Sequence, residues 1–231
     1  MQPIQAKPIA MEATARILST KKLLSNQRQY LLNAGLAVTE ADFINVQYIP
    51  FLAGNINNNL IFTSQNGFKA FSENKESIKY KGSNVFCVGD KTKDVINAAG
   101  FTVTASADNA ESLAAIITEK YPQERFTFFA GSIRRDTLPE GLQKAGILCN
   151  EIEVYTTVLT PHKILSKADG LLFFSPSGVA AYLQENTITN EACFCIGTTT
   201  AQALAGIAEN IIVANRPSVE NVIIQCINYY K

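Results

Sequence analysis

One pattern occurs twice in this chain. At residues 169–183, D-G-L-L-F-F-S-P-S-G-V-A-A-Y-L, four apolar residues stop at Ser175-Pro176-Ser177-Gly178 and an apolar-periodic segment begins at once. Residues 60–71, L-I-F-T-S-Q-N-G-F-K-A-F, repeat it, with Ser64 where Ser175 stands and Gly67 where Gly178 stands, an offset of 111 residues. A short apolar run that gives way to a capped helical pattern is a buried strand feeding a helix. Gly35 and Gly146 are also 111 apart, and Gly89 and Gly197 are 108 apart, so the repeat reaches across most of the chain. Two units of about 110 residues, each alternating strand and helix, imply parallel sheets with helices on both faces. Each unit is expected to be a doubly wound α/β module.

The remaining segments fit that scheme. Residues 1–14 carry two prolines and no periodicity and read as an irregular arm. A first strand at 16–20 ends in the basic pair Lys21-Lys22, and Ser25 or Asn26 can cap a helix through Leu32 that closes at Gly35. A second strand starts at 36–38, residues 42–51 are extended, and 54–59 form a polar loop. After the 60–71 unit come a charged loop at 73–81, a strand at 84–88, a helix from Gly89 to Gly100 and a strand at 101–104. The helix at 109–120 has Leu113, Ile116 and Ile117 on one face and is stopped by Pro122. A strand at 126–129 leads to Gly131-Ser132 and a second basic pair, Arg134-Arg135, followed by a helix at 138–145 and a long extended segment at 147–158. Beyond 169–183, a strand at 193–196 turns at Gly197-Thr198-Thr199-Thr200 into a helix, a strand covers 211–214, and a last helix begins at Ser218. The repeat by itself would cut the chain near Pro122 into two sequential units.

Charge narrows the function. With 20 basic and 20 acidic residues the formal net charge is zero, so the footprint of a nucleic-acid or membrane-surface binder is missing and any anionic ligand must be held locally. No apolar run is long enough to span a bilayer and the first residues lack the core of a secretory signal, which points to the cytoplasm. Cys87, Cys149, Cys193, Cys195 and Cys226 are odd in number, and four of them sit in apolar runs. They read as small core residues of a reducing compartment. With His162 the one histidine, no structural metal is expected.

In doubly wound sheets, ligands bind beyond the carboxyl ends of the strands, where turns present N–H groups and helix N-termini. The turns at those ends are rich in glycine and hydroxyl residues: Thr63-Ser64, Gly89 to Thr92, Gly131-Ser132, Ser175 to Gly178 and Gly197 to Thr200. Lys21, Lys22, Lys91, Arg134 and Arg135 can edge such a site. The set suits a ligand with several carboxylates or phosphates, although each hydroxyl taken singly is equally a helix cap. No G-x-x-x-x-G-K-[ST] or helix-opening G-x-G-x-x-G supports nucleotide binding, and His162, beside Pro161, is poorly placed for a Ser/His/Asp triad. Tyr155, in E-I-E-V-Y-T-T, lies between the repeat's halves, where its phenol can donate a proton or hydrogen bond to a departing oxygen or simply pack.

The motifs I-F-T-S-Q-N-G-F, V-G-D-K-T, L-Q-K-A-G with E-I-E-V-Y-T-T-V, L-F-F-S-P-S-G-V and C-I-G-T-T-T-A-Q-A-L occur in that order. In these motifs, from about Arg16 to the C-terminus, the chain resembles the uroporphyrinogen-III synthase family. The resemblance implies a bilobal α/β fold of two similar doubly wound parallel-sheet domains joined by a two-stranded linker. Domain 1 would comprise residues 1–45 and 159–231, and domain 2 residues 46–158, with connections at 44–50 and 151–158. It implies a hydro-lyase that cyclises linear hydroxymethylbilane to uroporphyrinogen III, with loss of water and inversion of ring D, and that needs no metal or organic cofactor. It also implies a monomer whose partner is that small substrate, with a transient hand-over from the preceding pathway enzyme and no nucleic acid or membrane. On the family pattern Tyr155 assists the leaving hydroxyl, and Ser64, Thr92, Ser175, Gly197, Thr199 and Thr200 fall on binding turns. Thr63, Gly89, Gly178 and Lys21 complete the candidate substrate-binding set. Many members have Thr-Arg where this chain has Thr20-Lys21, and lysine loses the bidentate geometry of arginine. From the residues alone, a non-catalytic two-lobed module closing over a small polycarboxylate or other anionic metabolite explains the same turns.

Overall fold

The computed structural model describes residues 14–133 and 136–231. The arm expected at 1–14, apart from Thr14, and the Arg134-Arg135 pair lie outside the described residues. In chain order the elements are β1 (Arg16–Ser19), α1 (Ser25–Asn33), β2 (Ala37–Glu40), β3 (Ile44–Tyr48), β4 (Asn59–Phe62), α2 (Gln65–Glu73), β5 (Asn84–Val88), α3 (Asp90–Ala98), β6 (Val103–Ala107) and α4 (Ala110–Lys120). They continue with β7 (Arg125–Gly131), α5 (Thr137–Lys144), β8 (Leu148–Leu159), β9 (Gly170–Phe173), α6 (Pro176–Glu185), β10 (Ala192–Cys195), α7 (Thr198–Gln202), β11 (Ile211–Val213) and α8 (Val219–Tyr230).

These elements divide into two compact units, one within residues 1–45 and 159–231 and the other at 46–158. The first holds a five-stranded sheet in the order β2-β1-β9-β10-β11, and its neighbouring strands are parallel. The second holds the order β3-β8-β7-β4-β5-β6, parallel from β8 to β6. Leaving β3 aside, the two orders superpose strand for strand, with β9 in the place of β4. The residue registers agree as well: Leu171 pairs with Leu18 as Leu60 pairs with Thr127. Pro122 lies between α4 and β7 inside the second unit, so the chain is not cut there. The strand pair β1-β2 opens the first unit's sequence, whereas its counterpart β7-β8 closes the second's, so similar sheets arise from different chain orders.

Each sheet is covered on both faces, as the nearly continuous apolar strands require. Along β4, Leu60 and Phe62 point to one core with Phe68 and Phe71 of α2, while Ile61 points to the other with Leu113, Leu138 and Leu142 of α4 and α5. In the first unit Leu171 and Phe173 meet Val179 and Tyr182 of α6, while Leu172 meets α1 and α8. The Phe62 and Phe129 rings stack at 5.1 Å and each touches Phe71. Burying one such ring stabilises by about 1.5–3 kcal/mol, so this cluster clamps α2, and with it the turn at its start, onto β4 and β7. Four of the cysteines are buried, and burial pushes the thiols of Cys149, Cys193, Cys195 and Cys226 up to about 12 and that of Cys87 to about 11.

Several local expectations change. Neither Ser25 nor Asn26 caps α1: Leu24 is the cap residue, and its N–H donates to the Gln27 side chain at 3.0 Å. The charged loop at 73–81 contains a 3-10 helix, Lys75–Tyr80, which Asn74 caps by accepting from the Glu76 N–H. No helix among the described residues is long and apolar enough to cross a membrane.

Candidate active site

The site begins with the two copies of the repeated turn. In both, a serine in extended conformation caps the following helix, and its Oγ accepts from the N–H of the glycine three residues on. Ser64 does so from Gly67 and Ser175 from Gly178, each at 3.0 Å. Each cap consumes one serine lone pair and leaves the hydroxyl proton free to donate. A helix start also leaves its first N–H groups without an intrahelical partner, next to the positive end of the helix dipole. On α2 these belong to Gln65 and Asn66. On α6 the first position is Pro176, which has no N–H, so only Ser177 offers one.

The next turns repeat the theme with glycine. Gly89 caps α3 at φ 82°, in the left-handed region, and its carbonyl accepts from Thr92 N–H and Lys93 N–H at 3.1 Å each. Gly197 caps α7 in extended conformation, and its carbonyl accepts from Thr200 N–H and Ala201 N–H at 3.1 Å each. Thr92 and Thr200 are thus equivalent third-position residues, and both are buried. Thr63 and Thr199 are half-buried at the mouths of their turns. Lys21 is exposed just past β1, its Nζ 5.8 Å from the centre of the Phe174 ring, a cation–π contact that brings its charge beside the Ser175 turn. The Thr20 hydroxyl beneath it is spent on the Leu172 carbonyl at 2.7 Å.

Within the second unit one further side chain joins the rim. Tyr155, on β8, is half-buried against the Phe62 cluster and shares a hydrogen bond of 3.0 Å between its hydroxyl and Ser64 Oγ. Ser64 is therefore both cap and phenol partner, whereas Ser175 has its cap bond and the Thr20 hydroxyl near its turn. Thr63, Ser64, Gly89, Thr92 and Tyr155 gather along the carboxyl-terminal edge of the six-stranded sheet. Lys21, Ser175, Gly178, Gly197, Thr199 and Thr200 gather along the corresponding edge of the five-stranded one.

Other features take structural roles. His162 packs edge-on to Phe43, and its Nε2 is 3.0 Å from the Asp42 carbonyl. A cleft of about 850 Å³ opens at the opposite, amino-terminal edge of β7 and β8. Its polar lining is knitted internally, with Asn57 Nδ2 donating to Asn150 Oδ1 at 2.6 Å and Asn150 Nδ2 to the Asn55 carbonyl at 2.7 Å. Among the described residues, no three His, Cys, Asp or Glu side chains group in a way that could hold a metal ion.

Two glycines at the site have packing roles that the sequence does not show. A Cβ on Gly67 would lie 2.9 Å from the Phe129 carbonyl oxygen, so α2 starts hard against the β7 backbone. A Cβ on Gly131 would lie 2.4 Å from Cζ of Tyr155. In the sequence Gly67 is marked by its place in the repeat and Gly131 by its place in a glycine- and hydroxyl-rich turn, and neither pattern shows the close approach.

Doubly wound α/β sheets with donor-rich turns at their carboxyl edges define the class: an α/β fold whose strand ends present helix N-termini and hydroxyls, the kind of edge on which small anionic molecules can be held. A family model described as uroporphyrinogen-III synthase HemD matches residues 28–224. Among solved structures, the chain is similar to uroporphyrinogen-III synthetase from Helicobacter pylori, at TM-score 0.71 and 19% identity over 94% of this chain and 100% of that one. It is also similar to a mutant uroporphyrinogen III synthase from Thermus thermophilus, at TM-score 0.66 and 14% identity over 94% of this chain and 100% of that one. At these identities the structures carry the α/β fold, and the family model carries the family. The chain belongs to the uroporphyrinogen-III synthase family, and its activity at the level of that family is the cyclisation of a linear tetrapyrrole to uroporphyrinogen III.

Proposed function

We propose that Tyr155 assists departure of the hydroxyl of hydroxymethylbilane, while the turns at Thr63-Ser64, Gly89 to Thr92, Ser175 to Gly178 and Gly197 to Thr200, with Lys21, hold the substrate's carboxylates. The two units serve as the two lobes of the enzyme. The observation that carries this reading is the 3.0 Å contact between Tyr155 and Ser64 on the rim of the six-stranded sheet. Gly67 N–H donates to Ser64 Oγ. With Ser64 in turn donating to Tyr155, the phenol proton is left pointing outward and is polarised by the two bonds behind it.

The reaction converts hydroxymethylbilane to uroporphyrinogen III and one water. The C–O bond of the terminal hydroxymethyl group breaks, its oxygen leaving as water with help from the phenol proton, and an azafulvene cation remains. Attack on that cation by the substituted carbon of the last ring gives a spiro intermediate, which fragments and recloses with the ring inverted, and the proton lost as the new ring junction regains aromaticity restores the phenol. The protein's other task is geometric: to fold a flexible chain so that this closure outpaces the simple one. Carboxylates seated on helix N-termini and hydroxyls supply the handles without a net positive surface. The enzyme works as a monomer in the cytoplasm and receives its substrate from the preceding pathway enzyme.

Purified protein given enzymatically generated hydroxymethylbilane is expected to yield mostly the type III isomer, resolved chromatographically after oxidation. Type I product alone would overturn the function. Tyr155→Phe is expected to lower kcat with little change in KM, and an unchanged kcat removes Tyr155 from the chemistry.

A further inference from the structure

We infer that Gly131 is a positioning residue for the reaction: its missing side chain, together with a one-residue slip in strand pairing, aims the Tyr155 phenol at Ser64. The inference rests on the reading of Tyr155 given above. Side chains alternate between faces along a strand, so Val154 and Tyr155 should point opposite ways. They do not. Ile152, Val154 and Tyr155 all pack against the Phe62 cluster on the α2 face. The cause is visible in the register, where Ala130 pairs with Glu153 but Gly131 pairs with Tyr155, so Val154 is skipped. Such an irregularity re-aims a side chain. The main chain resumes its bonding beyond it, with Ser132 N–H donating to the Tyr155 carbonyl at 3.0 Å.

Turning the ring to that face lays it directly over the Gly131 backbone. A Cβ there would sit 2.4 Å from Cζ, 2.6 Å from Cε2 and 2.8 Å from the hydroxyl oxygen. Gly131 has no positive φ, so its backbone would accept alanine. The three nearest obstacles are all atoms of the phenol itself. A methyl group would push the ring back by about 1 Å to reach ordinary contact, which a 3.0 Å hydrogen bond to Ser64 cannot absorb, and a displacement of that size costs on the order of 100-fold in rate at a reacting centre.

The test is steady-state kinetics on hydroxymethylbilane for Gly131→Ala, Tyr155→Phe and the double variant, with melting temperatures measured in parallel. Gly131→Ala is expected to lower kcat by roughly tenfold or more while KM stays near the wild-type value, and the double variant is expected to be no slower than Tyr155→Phe. A Gly131→Ala enzyme with wild-type kcat beside an impaired Tyr155→Phe overturns the inference and leaves the Tyr155 reading standing. A fully active Tyr155→Phe overturns that reading and the inference with it. If Gly131→Ala fails to fold, Gly131→Ala/Tyr155→Ala decides: a melting temperature equal to that of Tyr155→Ala supports the inference, because the obstacle is gone, and a lower one overturns it.

Discussion

The turns at Ser64 and Ser175 are built alike and surrounded differently. Both end a central strand, both cap a helix with the same 3.0 Å bond, and both place glycine at the third helical position. What differs is the next strand but one. β8 runs for 12 residues and carries Tyr155 up to the Ser64 turn, whereas β2, in the equivalent place, stops after 4. The helix starts also differ in closeness, since a Cβ on Gly67 would be 2.9 Å from a main-chain oxygen while one on Gly178 would meet nothing nearer than 3.4 Å. A repeated strand-turn-helix thus yields two turns of the same capped geometry, and an extension elsewhere in one unit gives one of them a phenol.

Alanine at the two glycines should break this comparison most sharply. Gly67→Ala is expected to destabilise by about 1–3 kcal/mol, because a main-chain carbonyl cannot move aside cheaply. Gly178→Ala should be neutral or stabilising by up to about 1 kcal/mol, since alanine is the better helix residue. Denaturant melts of both variants check this, and equal losses would refute it. Next come the caps. Ser64→Ala and Ser175→Ala should each cost about 1 kcal/mol of stability, but Ser64→Ala should lower kcat as well as raise KM, while Ser175→Ala should raise KM alone. A smaller effect follows for Tyr155→Phe, which removes one half-buried hydrogen bond and should cost about 0.5 kcal/mol in the same melts.

The smallest expected effect concerns pH and belongs to the first unit. Asp169 accepts from the Arg16 N–H at 2.8 Å and pairs with its guanidinium, and that N–H bond chiefly holds its carboxyl below the ordinary value. Its contribution is therefore present above the unfolded carboxylate pKa, about 3.9, and is lost as pH falls through the lower folded value. Asp169→Asn should melt slightly below wild type at neutral pH, and the gap should close in acid. A gap that persists unchanged in acid would assign the loss to packing instead.

Much of the site was legible because it is local. Ser64 and Ser175 announced themselves by the abrupt end of an apolar run and a glycine three residues later, and the cap geometry needs nothing further away. Gly89 with Thr92 and Gly197 with Thr200 followed the same logic. The start of α1 departs from a serine cap because Gln27 reaches back to accept from the Leu24 N–H, a contact that the Ser25-Asn26 pair gives no sign of. Gly131 was read as part of a turn because the sequence around it, F-F-A-G-S, ends its apolar run there, and nothing in it shows the ring that crosses above.

The sequence by itself determined two sets of buried strands and capped helices, the small hydroxyls and glycines at their joints, and a balanced charge that requires any anion to be held by local donors. These follow from hydrophobic run length, capping chemistry and composition, which act over a few residues. That strands from opposite ends of the chain complete the first sheet followed from the family resemblance and not from the repeat, and only the tertiary structure decided that β8 slips by one residue against β7 and that Tyr155 therefore turns to Ser64. Strand order and register depend on contacts between residues far apart in the chain, and a one-residue change of register reverses the face on which a side chain stands.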